Sequence, residues 1–217
     1  MQRETSHASA GAPRELSPLA RWTMLLAAFA GWMFAGSEIS LFVLIARPAL
    51  LDILPGTGES QIIGWIAWYQ CAFLLGAAAG GWLFGWIGDR FGRTRALGVS
   101  ILCYSAFTGA CYFASDPFAL LALRFLACLG VGGAWPAAVS LSVEALPHVS
   151  KPLLAGVMGA AANVGFVLLG LLCYFVAVTP EDWRWVLAVC SLPAVLGVAV
   201  LSRLPESPSW LAARRLQ

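Results

Sequence analysis

An all-α membrane protein with a six-transmembrane-helix bundle is the fold class this chain predicts, and three observations carry the prediction. Composition is the first: 60% of the 217 residues are hydrophobic and 11% are charged, with a mean hydropathy of +0.80. So few charges cannot cover a water-soluble globule. The second is a series of apolar runs, each long enough to cross about 30 Å of hydrocarbon as a helix, over Trp22–Ala46, Gly64–Trp86, Ala96–Ala114, Phe118–Val143, Leu153–Val176 and Trp183–Ser202. Only helices satisfy their own backbone within lipid when a run is followed by others of this length. The third is charge asymmetry. With a cytoplasmic N-terminus, Arg3, Arg14, Arg21, Arg90, Arg93, Arg95, Lys151, Arg203, Arg214 and Arg215 fall inside, and only Arg47 and Arg184 fall outside. That distribution sets the orientation expected of a multi-pass protein of the plasma (inner) membrane.

Residues 1–20 are polar, show no apolar period, and are expected to form a disordered cytoplasmic tail. A cleaved signal peptide is the competing reading, but Trp22–Ala46 is longer than a secretory apolar core and further spans follow it. Residues 21–204 hold the six-helix bundle, and residues 205–217 form a cytoplasmic segment after the last helix. Turn formers separate the spans at Pro55-Gly56-Thr57-Gly58, Asp116-Pro117, Pro147 and Thr179-Pro180. Within the spans, Gly76 with Gly80, Gly81 with Gly85, and Gly130 with Ala134 recur at the four-residue spacing that lets helices approach. Gly156, Gly159, Gly165 and Gly170 make a similar stripe on the fifth span. Cys71, Cys103, Cys111, Cys128, Cys173 and Cys190 match neither metal-site nor redox spacing and read as small core residues. Most tryptophans stand near span ends, as an interfacial belt predicts, with Trp32 and Trp135 deeper.

The most specific feature is the charged hairpin Gly85-Trp86-Ile87-Gly88-Asp89-Arg90-Phe91-Gly92-Arg93-Thr94-Arg95 between the second and third spans. It resembles the loop motif between the second and third helices of the major facilitator superfamily, with Thr94 at a usually basic position. Two further segments support the resemblance. Arg124, Gly130-Val131-Gly132-Gly133-Ala134-Trp135-Pro136, Glu144 and Pro147 resemble the fourth helix and following loop of sugar and organic-acid symporters. Pro205-Glu206-Ser207-Pro208-Ser209-Trp210-Leu211 is similar to the end of the sixth helix in the sugar-porter-like branch, with Ser209 replacing an arginine. Gly31 to Glu38 resembles the first helix of aromatic-acid and sialic-acid proton symporters, although Ala35 and Ala134 stand where many of those carry acids.

The resemblance implies one six-helix bundle of a two-bundle fold, and with it proton-coupled symport of a small organic acid or sugar-like metabolite by alternating access. It also implies a second bundle as partner, either a C-terminal half or a second copy, beside the lipid bilayer and a small-molecule solute. The alternatives are a half-size membrane protein that acts by oligomerisation without transporting alone, and a truncated product.

Asp52, Glu59, Asp116, Glu181 and Asp182 fall outside, which leaves Glu38 and Arg124 as charges within spans. An ionisable side chain there costs a few kcal/mol and therefore faces a cavity or a partner. Counting at 1.5 Å per residue, Glu38 and Arg124 lie roughly 10 Å and 9 Å inward from the outer ends of their helices, so the two are expected at similar depth. Related proton symporters, by the resemblance, place an acid and an arginine at these positions. The expected mechanism pairs ionised Glu38 with Arg124 and releases the arginine on protonation. Burial disfavours the ionised carboxyl and the guanidinium favours it, so the two effects oppose each other. A permanent ion pair holding two helices together is the competing reading. Gln70 is a further cavity candidate, and Asn163 reads as packing.

On the cytoplasmic side the motif residues Gly85, Asp89, Arg90, Gly92 and Arg93, with Glu144, Arg203 and Glu206, are expected to act as a gate through ion pairs, each worth under about 1 kcal/mol. Determination of topology by the basic residues is the simpler role. His7 and His148 lie far from any nucleophile pattern, and the glycines at 130, 132 and 133 follow no strand. No enzyme activity, cofactor, metal or nucleic-acid partner is expected.

Overall fold

The computed structural model describes residues 17–214. The polar tail assigned to residues 1–20 therefore lies outside the described residues except for its last four, and Arg215 lies outside them as well. Those four residues already belong to the start of the first helix. Ser17 caps it by accepting a hydrogen bond from the Ala20 N–H at 3.2 Å, and Pro18 occupies the first turn, where its missing N–H costs nothing.

The helices in chain order are α1 (Pro18–Ile53), α2 (Glu59–Phe91), α3 (Arg93–Cys111), α4 (Pro117–Ala145), α5 (Lys151–Phe175), α6 (Arg184–Ser191), α7 (Ala194–Arg203) and α8 (Pro208–Arg214). At 1.5 Å per residue α1 and α2 run about 50 Å, so both project beyond the hydrocarbon thickness. Asp116 caps α4 by accepting from the N–H groups of Phe118 and Ala119, both at 2.9 Å. Gly92, at φ +115°, ends α2 and begins α3 in one residue.

Two elements differ from the spans read in the sequence. The sixth span is broken at Leu192-Pro193 into α6 and α7, because proline supplies no backbone donor there. The other difference is α3. Taking Arg184–Arg203 as one span, five helices among the described residues are long and apolar enough to cross a membrane, and α3 is the expected span that does not reach that composition. Four of its hydroxyl residues face inward: Thr94, Ser100, Ser105 and Thr108 are all buried. A helix walled by α4 on one side and by α6 and α7 on another can carry hydroxyls that a lipid-facing helix cannot. The outer surface is apolar instead, with Val43, Trp82, Phe113, Tyr174 and Phe175 more than three-quarters exposed.

Close crossings hold the bundle. A Cβ on Gly80 would overlap the backbone of Leu129, and one on Gly132 would overlap the Ala77 carbonyl, so α2 and α4 meet backbone to backbone. Gly165 and Gly36 bring α5 against α1 in the same way. The rest of the fifth-span stripe does not pack: Gly156, Gly159 and Gly170 face open space, as does Gly85.

At one end, Arg184 joins three elements. It donates to Asp52 at 2.7 Å and to the carbonyls of Tyr112 and Ala114 at 3.2 Å each. Trp183, expected in an interfacial belt, is fully buried and donates to the same Asp52 at 3.0 Å. Trp32 and Trp135 pack on each other with centroids 5.0 Å apart.

Candidate functional site: a buried charged layer beneath a cleft

The interior divides into two apolar clusters. One gathers Met24 to Ala35 of α1 with Tyr104, Val131 and Leu141, and the other gathers Leu41 to Leu50 with Cys111, Leu120 and Trp183. Glu38 of α1, Thr108 of α3 and Arg124 of α4 form the polar layer between them, and all three are buried. Arg124 Nη1 lies 3.3 Å from Glu38 Oε2, and its Nη2 donates to the Glu38 backbone carbonyl at 2.8 Å. Thr108 Oγ1 donates to the same Oε2 at 2.8 Å. The guanidinium sits 4.4 Å from the Phe42 ring centroid and 5.9 Å from that of Phe73, which adds cation–π attraction.

The pair is incompletely satisfied. Glu38 Oε1 and Arg124 Nε have no hydrogen-bond partner among the described residues. Leaving such atoms unpaired in a core is costly, so they mark a place for a proton, a water or a solute group.

Arg124 is also the floor of a cleft of about 290 Å³ between α1 and α2. Its walls are Ile39, Phe42, Val43 and Ala46 on one side and Ile66, Tyr69, Gln70 and Phe73 on the other, with Arg47 toward the rim. Gln70 therefore lines the cleft, whereas Asn163 donates to the Gly159 carbonyl one turn back on an exposed part of α5.

The sequence reading missed Thr108, although a signal was present. Ser100, Tyr104 and Thr108 recur at four-residue intervals, so their hydroxyls share one face of α3. Ser100 donates to the Gly130 carbonyl at 2.6 Å, Tyr104 to the Gly31 carbonyl at 3.1 Å, and Thr108 to Glu38.

At the opposite end, Asp89 pairs with Arg93 at 2.5 Å, and Arg93 Nε approaches Glu144 Oε1 at 3.5 Å without hydrogen-bond geometry. Glu144 also accepts from the Ser207 hydroxyl, and Trp210 Nε1 donates to the Asp89 carbonyl at 2.9 Å. The expected ion pairs of Arg90, Arg203 and Glu206 do not form among the described residues. Arg90 lies 5.6 Å from the centroid of the Trp86 ring instead. Glu206 accepts from the backbone N–H groups of Thr94 at 2.8 Å and Arg95 at 3.4 Å. Its carboxylate occupies the space a Cβ on Gly92 would need, which brings it onto the unpaired donors that begin α3. Glu206→Ala is expected to lower stability by about 1 kcal/mol, as loss of a helix cap does. Thermal unfolding in detergent checks this, and an unchanged midpoint would show that Glu206 is not holding α3.

An apolar exterior, long helices and a buried charged layer define a multi-pass integral membrane protein built as one six-helix bundle of the major facilitator fold. The bundle superposes on the major facilitator superfamily proton:xylose symporter XylE with a TM-score of 0.76, over 92% of this chain and 48% of that one, at 21% identity. The chain belongs to the Sugar (and other) transporter family, whose profile matches residues 55–216. It is 31% identical to the niacin transporter NiaP of Acinetobacter baylyi over 193 residues, which covers 89% of this chain and 42% of that protein. To the inner membrane metabolite transport protein YgcS of Escherichia coli it is 35% identical over 139 residues, covering 64% of this chain and 31% of that protein. The chain thus spans less than half the length of these curated relatives.

Proposed function

We propose that this bundle is the N-terminal half of a secondary active transporter that moves a small organic acid or sugar-like metabolite by alternating access, coupled to protons. The observation that carries the reading is the Glu38–Arg124 pair at the floor of the cleft, with Thr108 on the same carboxylate oxygen and one polar atom of each partner unused. A proton on Glu38 removes the charge that holds Arg124, and the freed guanidinium can then turn to a solute in the cleft. The names of the relatives support the substrate class: niacin is an aromatic acid and xylose a sugar.

The same proposal places the chain in the plasma (inner) membrane with a cytoplasmic N-terminus, because basic residues concentrate at the Arg93 end of the bundle. There Asp89, Arg93 and Glu144, with Glu206 on the start of α3, act as the cytoplasmic gate. Residues 21–204 form the transmembrane unit, and the segment from 205 follows it on the cytoplasmic side. A second six-helix bundle, either a C-terminal half or another copy, closes the other side of the solute path. Intact mass spectrometry of the detergent-solubilised assembly is expected to find that second bundle. A lone six-helix chain in that measurement favours the alternative, a membrane protein without autonomous transport.

Proton-driven uptake tests the mechanism. Glu38→Gln keeps the size of the side chain and removes its titration, so it is expected to abolish accumulation against a gradient while exchange of solute across the membrane persists. Accumulation by Glu38→Gln equal to the parent would remove Glu38 from the coupling.

A further inference from the structure

The cleft holds a second arginine that the charged layer does not use. Arg47 lines it from α1, five residues beyond Phe42, whose ring carries the Arg124 guanidinium. Five residues of helix rise about 7.5 Å, so Arg47 stands about one and a half turns further toward the mouth. Its partner is Glu59, the first residue of α2, and the two side chains form an ion pair across the α1–α2 opening. Both are more than half exposed. An exposed pair of this kind is worth little in net free energy, because water already solvates both charges. A carboxylate arriving from solution can therefore take the place of Glu59 on Arg47 at small cost. Glu59 is not stranded by the exchange, since it sits in the first turn of α2, where the helix dipole favours an anion.

We infer that Arg47 is the entry contact for an anionic solute: the solute carboxylate displaces Glu59 from Arg47 at the rim and then passes down the aromatic walls of Phe42 and Tyr69 toward Arg124. Glu59 then acts as a competitive plug rather than as a structural brace. This assignment rests on the cleft being the solute path proposed above.

The two roles predict opposite signs. Equilibrium binding of radiolabelled nicotinate, a planar carboxylate, and of nicotinamide, the uncharged molecule with the same ring, is measured on membranes containing the full chain. Arg47→Gln is expected to weaken nicotinate binding about fivefold, and Glu59→Gln to strengthen it by a similar factor, the scale of one partly exposed charge contact. Nicotinamide binding stays the same in both variants. If the two variants change nicotinate affinity in the same direction, or shift nicotinamide in parallel, the pair is a brace and the inference falls while the cleft remains the solute path. If wild-type chain binds neither probe, the inference falls, and the transport reading is then judged by proton-driven uptake alone. Both variants are at an exposed pair outside either apolar cluster, so the fold is expected to survive them.

Discussion

Arg124→Leu is expected to destabilise the bundle by about 3–5 kcal/mol, the loss typical of a buried ion pair with one partner removed. The cost does not come from the pair's own attraction, which is largely spent on desolvating both groups. It comes from what remains: a buried Glu38 carboxylate with one hydroxyl donor, Thr108, and an already unpaired Oε1. Leucine also withdraws the cation from the Phe42 and Phe73 rings. Glu38→Gln alone is expected to be milder, because the amide still accepts from Thr108 and Arg124. The double variant Glu38→Gln with Arg124→Leu should recover part of the loss, and thermal unfolding of the four proteins in detergent gives the coupling energy. Additive losses would show that the two residues act independently and that the layer is not a unit.

Gly132→Val is the second large effect, expected at about 3 kcal/mol or more because overpacking here has no side chain to displace. The new Cβ would fall on the Ala77 carbonyl, so α2 and α4 must separate along their whole contact. Gly81→Val is the internal control. It lies on the same crossing, but its Cβ would sit 3.6 Å from the Gly132 carbonyl, an ordinary van der Waals distance. The fraction recovered as a monodisperse species on gel filtration, together with the unfolding midpoint, separates the two. Equal losses at both positions would show that the crossing tolerates neither side chain and that backbone proximity is not the deciding factor.

Glu38 and Arg124 were legible in the sequence because a charge in an apolar run has few places to go. Their similar depth was an expectation from helix rise, and the two side chains do meet although α1 runs on to Ile53. Thr108 was legible only as one of three hydroxyls on a face of α3, because only the neighbouring fold shows which hydroxyl reaches a carboxylate. The glycine pattern was legible as spacing but not as direction. Gly80 packs backbone to backbone, whereas Gly85 faces open space, and the same four-residue rhythm serves both. Glu206 was read as an ion-pairing residue because it is charged and near arginines. Its carboxylate instead meets backbone donors, which a sequence does not display as charges.

By itself the sequence determined the solvent, five of the six spans and the presence of a charged layer, since each follows from hydropathy, length and the cost of burying charge. The tertiary structure decided the partners. It made α3 a shielded helix whose hydroxyls point inward, broke the last span at Pro193, opened a cleft above Arg124, and set Arg47 against Glu59 at its rim. Those outcomes depend on which helix faces are turned toward one another, a property of the packed assembly that no single run of residues contains.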